Sequence, residues 1–430
     1  MKYYSVIHVL RISMRLPKPN TYLRSLILFV GFFITIPGPT CAQEFLLQAH
    51  KKKATIPFKL VKDLIVIPLN INGQGPYNFI LDTGVGVVLI TDYTLADSLK
   101  LDNLRSFKIS GMGERGELEA FISPPISMEV GFSKATGIRA AILKKDAFNL
   151  SEYMGIPIHG LLGYEFFKNQ IVRISYNNNT IVVYPESSRY LLKKGYKIPI
   201  SIEENKPYIE TLVRLSSGEQ VLAKLVMDTG AGHPLSLEDR AGVPFQLPDV
   251  HIAENLGVGL AGPITGYLAR TPELSLGKYI LKNVIAAFPN YNDVLIKVLV
   301  PGRNGNLGNS VLKRFEMVWD YNIGAVYVKP SIYYNERFEY DMSGLEFSTL
   351  APDFKRCIIS RVAPNSPAEW EGIKPGDELL AINLKPIEQM SLNEITEYFK
   401  SGDDRNLFLE FIPKGSRESK KIIFTLKRRI

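Results

Sequence analysis

Two aspartates stand in the same short setting in this chain. Asp82-Thr83-Gly84 follows the apolar Phe79-Ile80-Leu81, and Asp228-Thr229-Gly230 follows Leu225-Val226-Met227. Each triplet is trailed by a small or branched residue, Val85 or Ala231, and by a second glycine, Gly86 or Gly232. Two carboxylates in contact raise one titration by up to several units through their repulsion, so that the pair holds one proton between its members. Such a pair can take a proton from water and give one to an amide, which is what hydrolysis of a peptide bond without a covalent intermediate requires.

One Asp-Thr-Gly alone says little, because turns between strands favour Asp and Gly in any protein. Here the surroundings repeat. A shift of about 146 residues lays Gly84 on Gly230, Gly86 on Gly232, Gly111 on Gly257, Gly113 on Gly259, Gly131 on Gly277 and Ala140-Ala141 on Ala286-Ala287. With one residue lost, Gly160-Leu161-Leu162-Gly163 falls on Gly305-Asn306-Leu307-Gly308, and Ile171 to Tyr176 falls on Glu316 to Tyr321. Glycine after Asp-Thr lets two backbones approach and turn sharply, and the threonine hydroxyls can hydrogen-bond across a pseudo-dyad. Thr83, Gly84, Thr229 and Gly230 are therefore the expected supports of Asp82 and Asp228.

Asp-Thr-Gly followed some 80 residues later by Leu-Leu-Gly or Asn-Leu-Gly resembles the retropepsin and pepsin type of aspartic peptidase, over roughly residues 55 to 330. The resemblance implies a mainly β, bilobed β-barrel fold in which each lobe contributes one catalytic aspartate, a peptide or protein substrate, and no cofactor. The pepsin branch usually has Ser or Thr after the triplet, a hydroxyl that Val85 and Ala231 lack. A carboxylate with fewer donors is a weaker acid, so the expected pH optimum is less acidic than pepsin's. Glycine-rich stretches about 30 residues beyond each aspartate look like the family's closing flaps, which places Met112, Gly113, Val258 and Gly259 over the substrate. Those stretches also spell a dinucleotide fingerprint, but Pro263-Ile264-Thr265-Gly266-Tyr267 cannot readily start the helix it needs.

Beyond about Tyr333 the pattern changes. Ser366-Pro367-Ala368-Glu369-Trp370 and Gly372-Ile373-Lys374-Pro375-Gly376-Asp377, followed by an apolar strand to Asn383, resemble the PDZ domains of bacterial secreted proteases. Ser391-Leu392-Asn393-Glu394 reads as a capping box opening a helix through Lys400, with Leu392, Ile395 and Phe399 on one stripe. By that resemblance an α+β PDZ module would add a peptide strand to its sheet edge and hold a C-terminal carboxylate at Gly344-Leu345-Glu346-Phe347. Glu346 repels a carboxylate, so internal peptides or a purely intramolecular docking role stand as alternatives. Asn383-Leu384 replaces the family's usual Asn-Gly, which alters one turn.

The first 42 residues read as a secretory signal: Lys2, Arg11, Arg15, Lys18 and Arg24 precede the apolar Leu26 to Ile34, and small residues end at Ala42. A secreted or periplasmic location follows, with lipidation of Cys41 or an uncleaved N-terminal anchor as alternatives; membrane attachment is expected only through this segment. Its removal leaves Cys357 as the sole cysteine, a small buried filler in the expected strand Cys357 to Val362, so stability must come from packing. The five histidines show no metal-ligand spacing, His233 being near Asp228 in sequence. The net charge of +8 lies largely in the leader, in Lys51-Lys52-Lys53 and in Lys427-Arg428-Arg429, which makes no nucleic-acid groove. The expected organisation is a leader (1–42), a first lobe (43–190), a second lobe (191–332) and a PDZ domain (333–430), with about residues 186 to 200 linking the repeats so that both lobes close on each other within one chain. The competing class is a catalytically inactive scaffold that grips a peptide with its cleft and its PDZ domain.

Overall fold

The computed structural model describes residues 44–430 except 49, 111–116, 147, 192–194, 241, 260–261 and 291–299. The leader expectation and the flap residues Met112 and Gly113 lie outside the described residues. Among those described, no helix is long and apolar enough to cross a membrane.

The protein is mainly β, and the strands that carry the aspartates show why. Gln74–Leu81 begins exposed and ends fully buried at Phe79, Ile80 and Leu81, while Gln220–Asp228 alternates exposed and buried residues before its last four are all buried. A period of two thus gives way to a continuous apolar run as each strand leaves the sheet surface for the core. Parallel to the first lies Gly160–Leu162, with Gly160 opposite Phe79 and Leu162 opposite Leu81. Parallel to the second lies Arg303–Gly308, with Gly305 opposite Leu225 and Leu307 opposite Met227. The two registers superpose under the same shift of the sequence.

Among the described residues, an 11-stranded sheet holds the first of these strand pairs and an 8-stranded sheet the second. A 6-stranded sheet joins them, in the order Tyr196–Pro199, Ala325–Pro330, Phe315–Asp320, Ile171–Ser175, Thr180–Tyr184, Ala54–Pro57. At its centre Arg173 faces Val318, the residue onto which the shift carries it, with Val172 facing Trp319 and Ile174 facing Met317. An antiparallel pair in which corresponding residues meet has a local twofold axis between them. One contiguous core runs through all of this, from Ile67 and Phe166 to Leu225, Trp319 and Val326. The stretch expected to link the halves also supplies a strand: after the 3₁₀ turn Glu186–Leu191, Tyr196–Pro199 pairs with Ala325–Pro330.

The C-terminal part has its own core, which includes Cys357, Leu379, Leu392, Ile395, Phe399 and Phe424. Leu392–Phe399 forms the expected helix, capped where Glu394 N–H donates to Ser391 Oγ, and Ser366 caps Pro367–Trp370 in the same way. Cys357 is buried in the strand Cys357–Val362, and burial pushes its thiol up to about 12, as suits an inert filler. At the altered turn Asn383 and Leu384 both adopt left-handed backbone, φ 49° and 66°, a conformation glycine takes without strain and leucine does not.

Candidate active site

The ends of Gln74–Leu81 and Gln220–Asp228 bring the two Asp-Thr-Gly triplets face to face. Thr83 N–H donates to Thr229 Oγ1 (3.0 Å) and Thr229 N–H to Thr83 Oγ1 (3.0 Å), while the hydroxyls donate onward to Met227 O (2.6 Å) and Leu81 O (2.7 Å). Both threonines are fully buried, so each of these groups has its partner only in the other triplet's strand. Thr229→Val strands Thr83 N–H and Leu81 O without partners and is expected to cost about 3 kcal/mol of stability, read from the urea midpoint, whereas Thr229→Ser stays near the parent. A valine variant with an unchanged midpoint would count against an interlock of the two triplets.

Glycine is required beside this interlock for space. A Cβ on Gly230 would stand 2.0 Å from Asp82 Cγ, and one on Gly84 would stand 2.7 Å from Asp228 Cγ. Each aspartate is thus pressed onto the backbone of the opposite triplet, and the two carboxyls are neighbours. Each also accepts its own loop's amide: Gly84 N–H donates to Asp82 Oδ1 (2.7 Å) and Gly230 N–H to Asp228 Oδ1 (2.9 Å). The Leu-Leu-Gly and Asn-Leu-Gly segments close beneath, where Asp82 N–H donates to Leu162 O and Asn309 N–H to Ala231 O.

Asp82 is held well above the usual carboxylate range. Burial contributes most, the charge of Asp228 next, and a hydrogen bond between the two carboxyls adds to both, against the opposing Gly84 amide. A proton shared by the pair is therefore held above the usual carboxylate range. Lys206, whose ammonium is lowered mainly by burial and then by the charge of Arg303, lies within reach of the field of both carboxylates. His233 is kept neutral chiefly by burial, with the charge of Asp228 acting the other way.

Three residues of this site were given no role of their own in the sequence reading. Asn306 donates from Nδ2 to Asp228 Oδ2 (2.8 Å), Arg303 holds Asn306, and Lys206 approaches from the strand Lys206–Arg214. The one available signal was the mismatch of Asn306 with the apolar Leu161. Val258 and Gly259 end the strand His251–Gly259, which pairs with Gly262–Leu276 as a hairpin with Gly259 opposite Gly262.

In the C-terminal part, Leu345–Thr349 forms the edge of its sheet, as a peptide-accepting strand should. Its surroundings are already engaged within the chain. Ser343 N–H and Gly344 N–H both donate to Asp341 Oδ1, and Leu345 N–H donates to Ser343 Oγ. Glu346 is paired with Arg361, which also binds the buried Glu254 of the hairpin strand His251–Gly259; Arg429 donates to Glu254 as well (2.9 Å). Phe347 lies under Lys62 Nζ, which is also over Tyr153 at 3.8 Å. At the far end Thr349 Oγ1 donates to Glu152 O, on the helix Leu150–Met154, and Asn393 exchanges hydrogen bonds with Lys62 N–H and Leu60 O.

Residues 67–166 match a family model described as aspartyl protease, and residues 358–412 match one described as PDZ domain. No curated protein matches the chain. Among solved structures, the photosystem II D1 C-terminal processing protease is similar over 20% of this chain and 22% of its own length, at 20% identity and a TM-score of 0.19. The chain spans about a fifth of that relative. Residues 67–166 thus belong to an aspartyl protease domain and residues 358–412 to a C-terminal PDZ domain.

Proposed function

We propose that this protein is a retropepsin-like aspartic endopeptidase whose two Asp-Thr-Gly triplets, one from each of two related lobes of a single chain, form one catalytic dyad. The observation that carries the reading is the contact of Asp82 and Asp228 through the threonine interlock; the reading gives the shared proton to Asp82. Asp228, as carboxylate, removes a proton from a water that attacks the scissile carbonyl carbon, while Asp82 gives its proton to the carbonyl oxygen. In the tetrahedral diol that results, Asp228 returns its proton to the amide nitrogen. One diol hydroxyl then reprotonates Asp82 as the carbon–nitrogen bond breaks, and the dyad is restored. The hairpin ending at Val258 and Gly259 covers the substrate. Export through residues 1–42 and peptide docking by the PDZ domain belong to the same reading.

The pH dependence follows from the state of the pair. Activity requires one carboxyl charged and the other protonated, and Asp82 keeps its proton well above the usual range, so the basic limb of the profile moves upward. The mature chain incubated with unfolded proteins between about pH 3.5 and 7.5 is expected to cut best at the less acidic end, with new peptide ends identified by mass spectrometry. Cleavage confined below about pH 3.5 would refute the assigned proton, and no cleavage by well-folded protein at any pH would favour a binding scaffold.

A further inference from the structure

The two halves of the site correspond at the Asp-Thr-Gly triplets but not at the residue that meets the second carboxyl from beneath. Leu161, packed among Ile80, Leu89 and Met154, has Asn306 as its counterpart. Asn306 Oδ1 accepts from Arg303 Nη2 (2.6 Å), and Arg303 is itself gripped by Glu238 through Nη1–Oε2 (2.7 Å) and Nη2–Oε1 (3.0 Å). All three side chains are nearly buried. A guanidinium can only donate, so the amide oxygen must face Arg303 and the amide NH₂ must face Asp228 Oδ2. An NH₂ so fixed can only donate, and a donor on a carboxyl oxygen favours the charged form of that carboxyl. Nothing equivalent exists at Leu161, whose aliphatic side chain offers Asp82 no donor.

Two carboxyls related by a local twofold axis would otherwise be interchangeable. We infer that Asn306, oriented by Arg303 and Glu238, is a positioning residue that breaks this symmetry: it fixes Asp228 as the base toward water and leaves Asp82 as the proton holder. The inference rests on the peptidase reading for its consequence in catalysis, although the asymmetry itself is a property of the dyad.

Two variants test it. Asn306→Leu copies Leu161, and Asn306→Asp keeps the shape and the Arg303 contact while replacing the donor with an acceptor. In both, the acid limb of kcat/KM, where the dyad loses its single charge, is expected to move up by about one pH unit or more, with KM nearly unchanged. Arg303→Gln, which frees the amide to turn, moves it less. The dyad is also read without turnover, by ¹³C NMR titration of aspartate-labelled protein in which the two resonances are identified by their loss in Asp82→Asn and Asp228→Asn. There the lower titration step moves in the same direction. Parental behaviour of both variants by NMR and, where there is activity, by the rate profile overturns the inference. A parent that cuts nothing but whose dyad step moves in the variants sinks the peptidase reading alone.

Discussion

Asp82→Asn and Asp228→Asn are each expected to lower kcat by about 10³- to 10⁴-fold while leaving the Kd of an uncleaved peptide within a few-fold of the parent. Asparagine keeps the size of the side chain and can still meet the loop amide of Gly84 or Gly230, so the thermal melt should barely change. What it removes is the shared proton. The Asp228→Asn variant has no base to take a proton from water, and the Asp82→Asn variant has no acid to meet the carbonyl oxygen. Because the two groups act as a unit, the double variant should be hardly slower than either single one. Multiplicative losses, or loss of binding in step with loss of turnover, would contradict a dyad.

Gly230→Ala is expected to reduce kcat at least about 100-fold in a protein that still folds. The new methyl would need the place of the Asp82 carboxyl, 2.0 Å from its Cγ, and Asp82 cannot simply withdraw. Its backbone is fixed by the bond from its N–H to Leu162 O, and the neighbouring Thr83 is locked to Thr229. Relief must come from rotation of the carboxyl or a shift of one triplet against the other, and an error of about 1 Å suffices for such a loss. Gly84→Ala, with 2.7 Å to Asp228 Cγ, should be the milder of the two. Steady-state kinetics with a fluorogenic peptide, alongside near-UV circular dichroism, decides this; parental kcat in Gly230→Ala would mean that the carboxyls do not stand this close.

The paired Asp-Thr-Gly triplets were legible in the sequence because their chemistry is local. An apolar run, an aspartate, a threonine and a glycine each have one physical reason to stand where they do. The stripe Leu392, Ile395, Phe399 and its cap were legible for the same reason, as helix periodicity and capping are written within ten residues. The Arg303–Asn306–Asp228 relay was not. The polar mismatch at Asn306 was visible, but its meaning depends on a guanidinium and on Glu238, which reach it only through the register of Arg303–Gly308 against Leu235–Leu237. Nor did Lys62, a turn lysine, show in sequence that burial would pull its ammonium down to about 8 against two aromatic rings. Its bond partner Asn393 is 331 residues away. The sheet that joins the halves was half visible: its strands matched under the shift, while their pairing at Arg173 and Val318 is a fact of three dimensions.

The engagement of Leu345–Thr349 and Leu392–Phe399 by Leu60, Lys62 and Glu152 turns peptide binding at that edge into a competition. An outside peptide meets a rival tethered to the same molecule, and the rival's local concentration does not fall on dilution. If the tethered contact is made about 99% of the time, the peptide's apparent Kd is about 100-fold weaker than its intrinsic one. By the same linkage, a peptide that does win would be expected to loosen the helix Leu150–Met154, whose Met154 shares a buried cluster with Ile80, two residues before Asp82, and with Leu161, one before Leu162. Under the peptidase reading, occupancy of the PDZ edge and order beneath the first aspartate would then be two readings of one equilibrium.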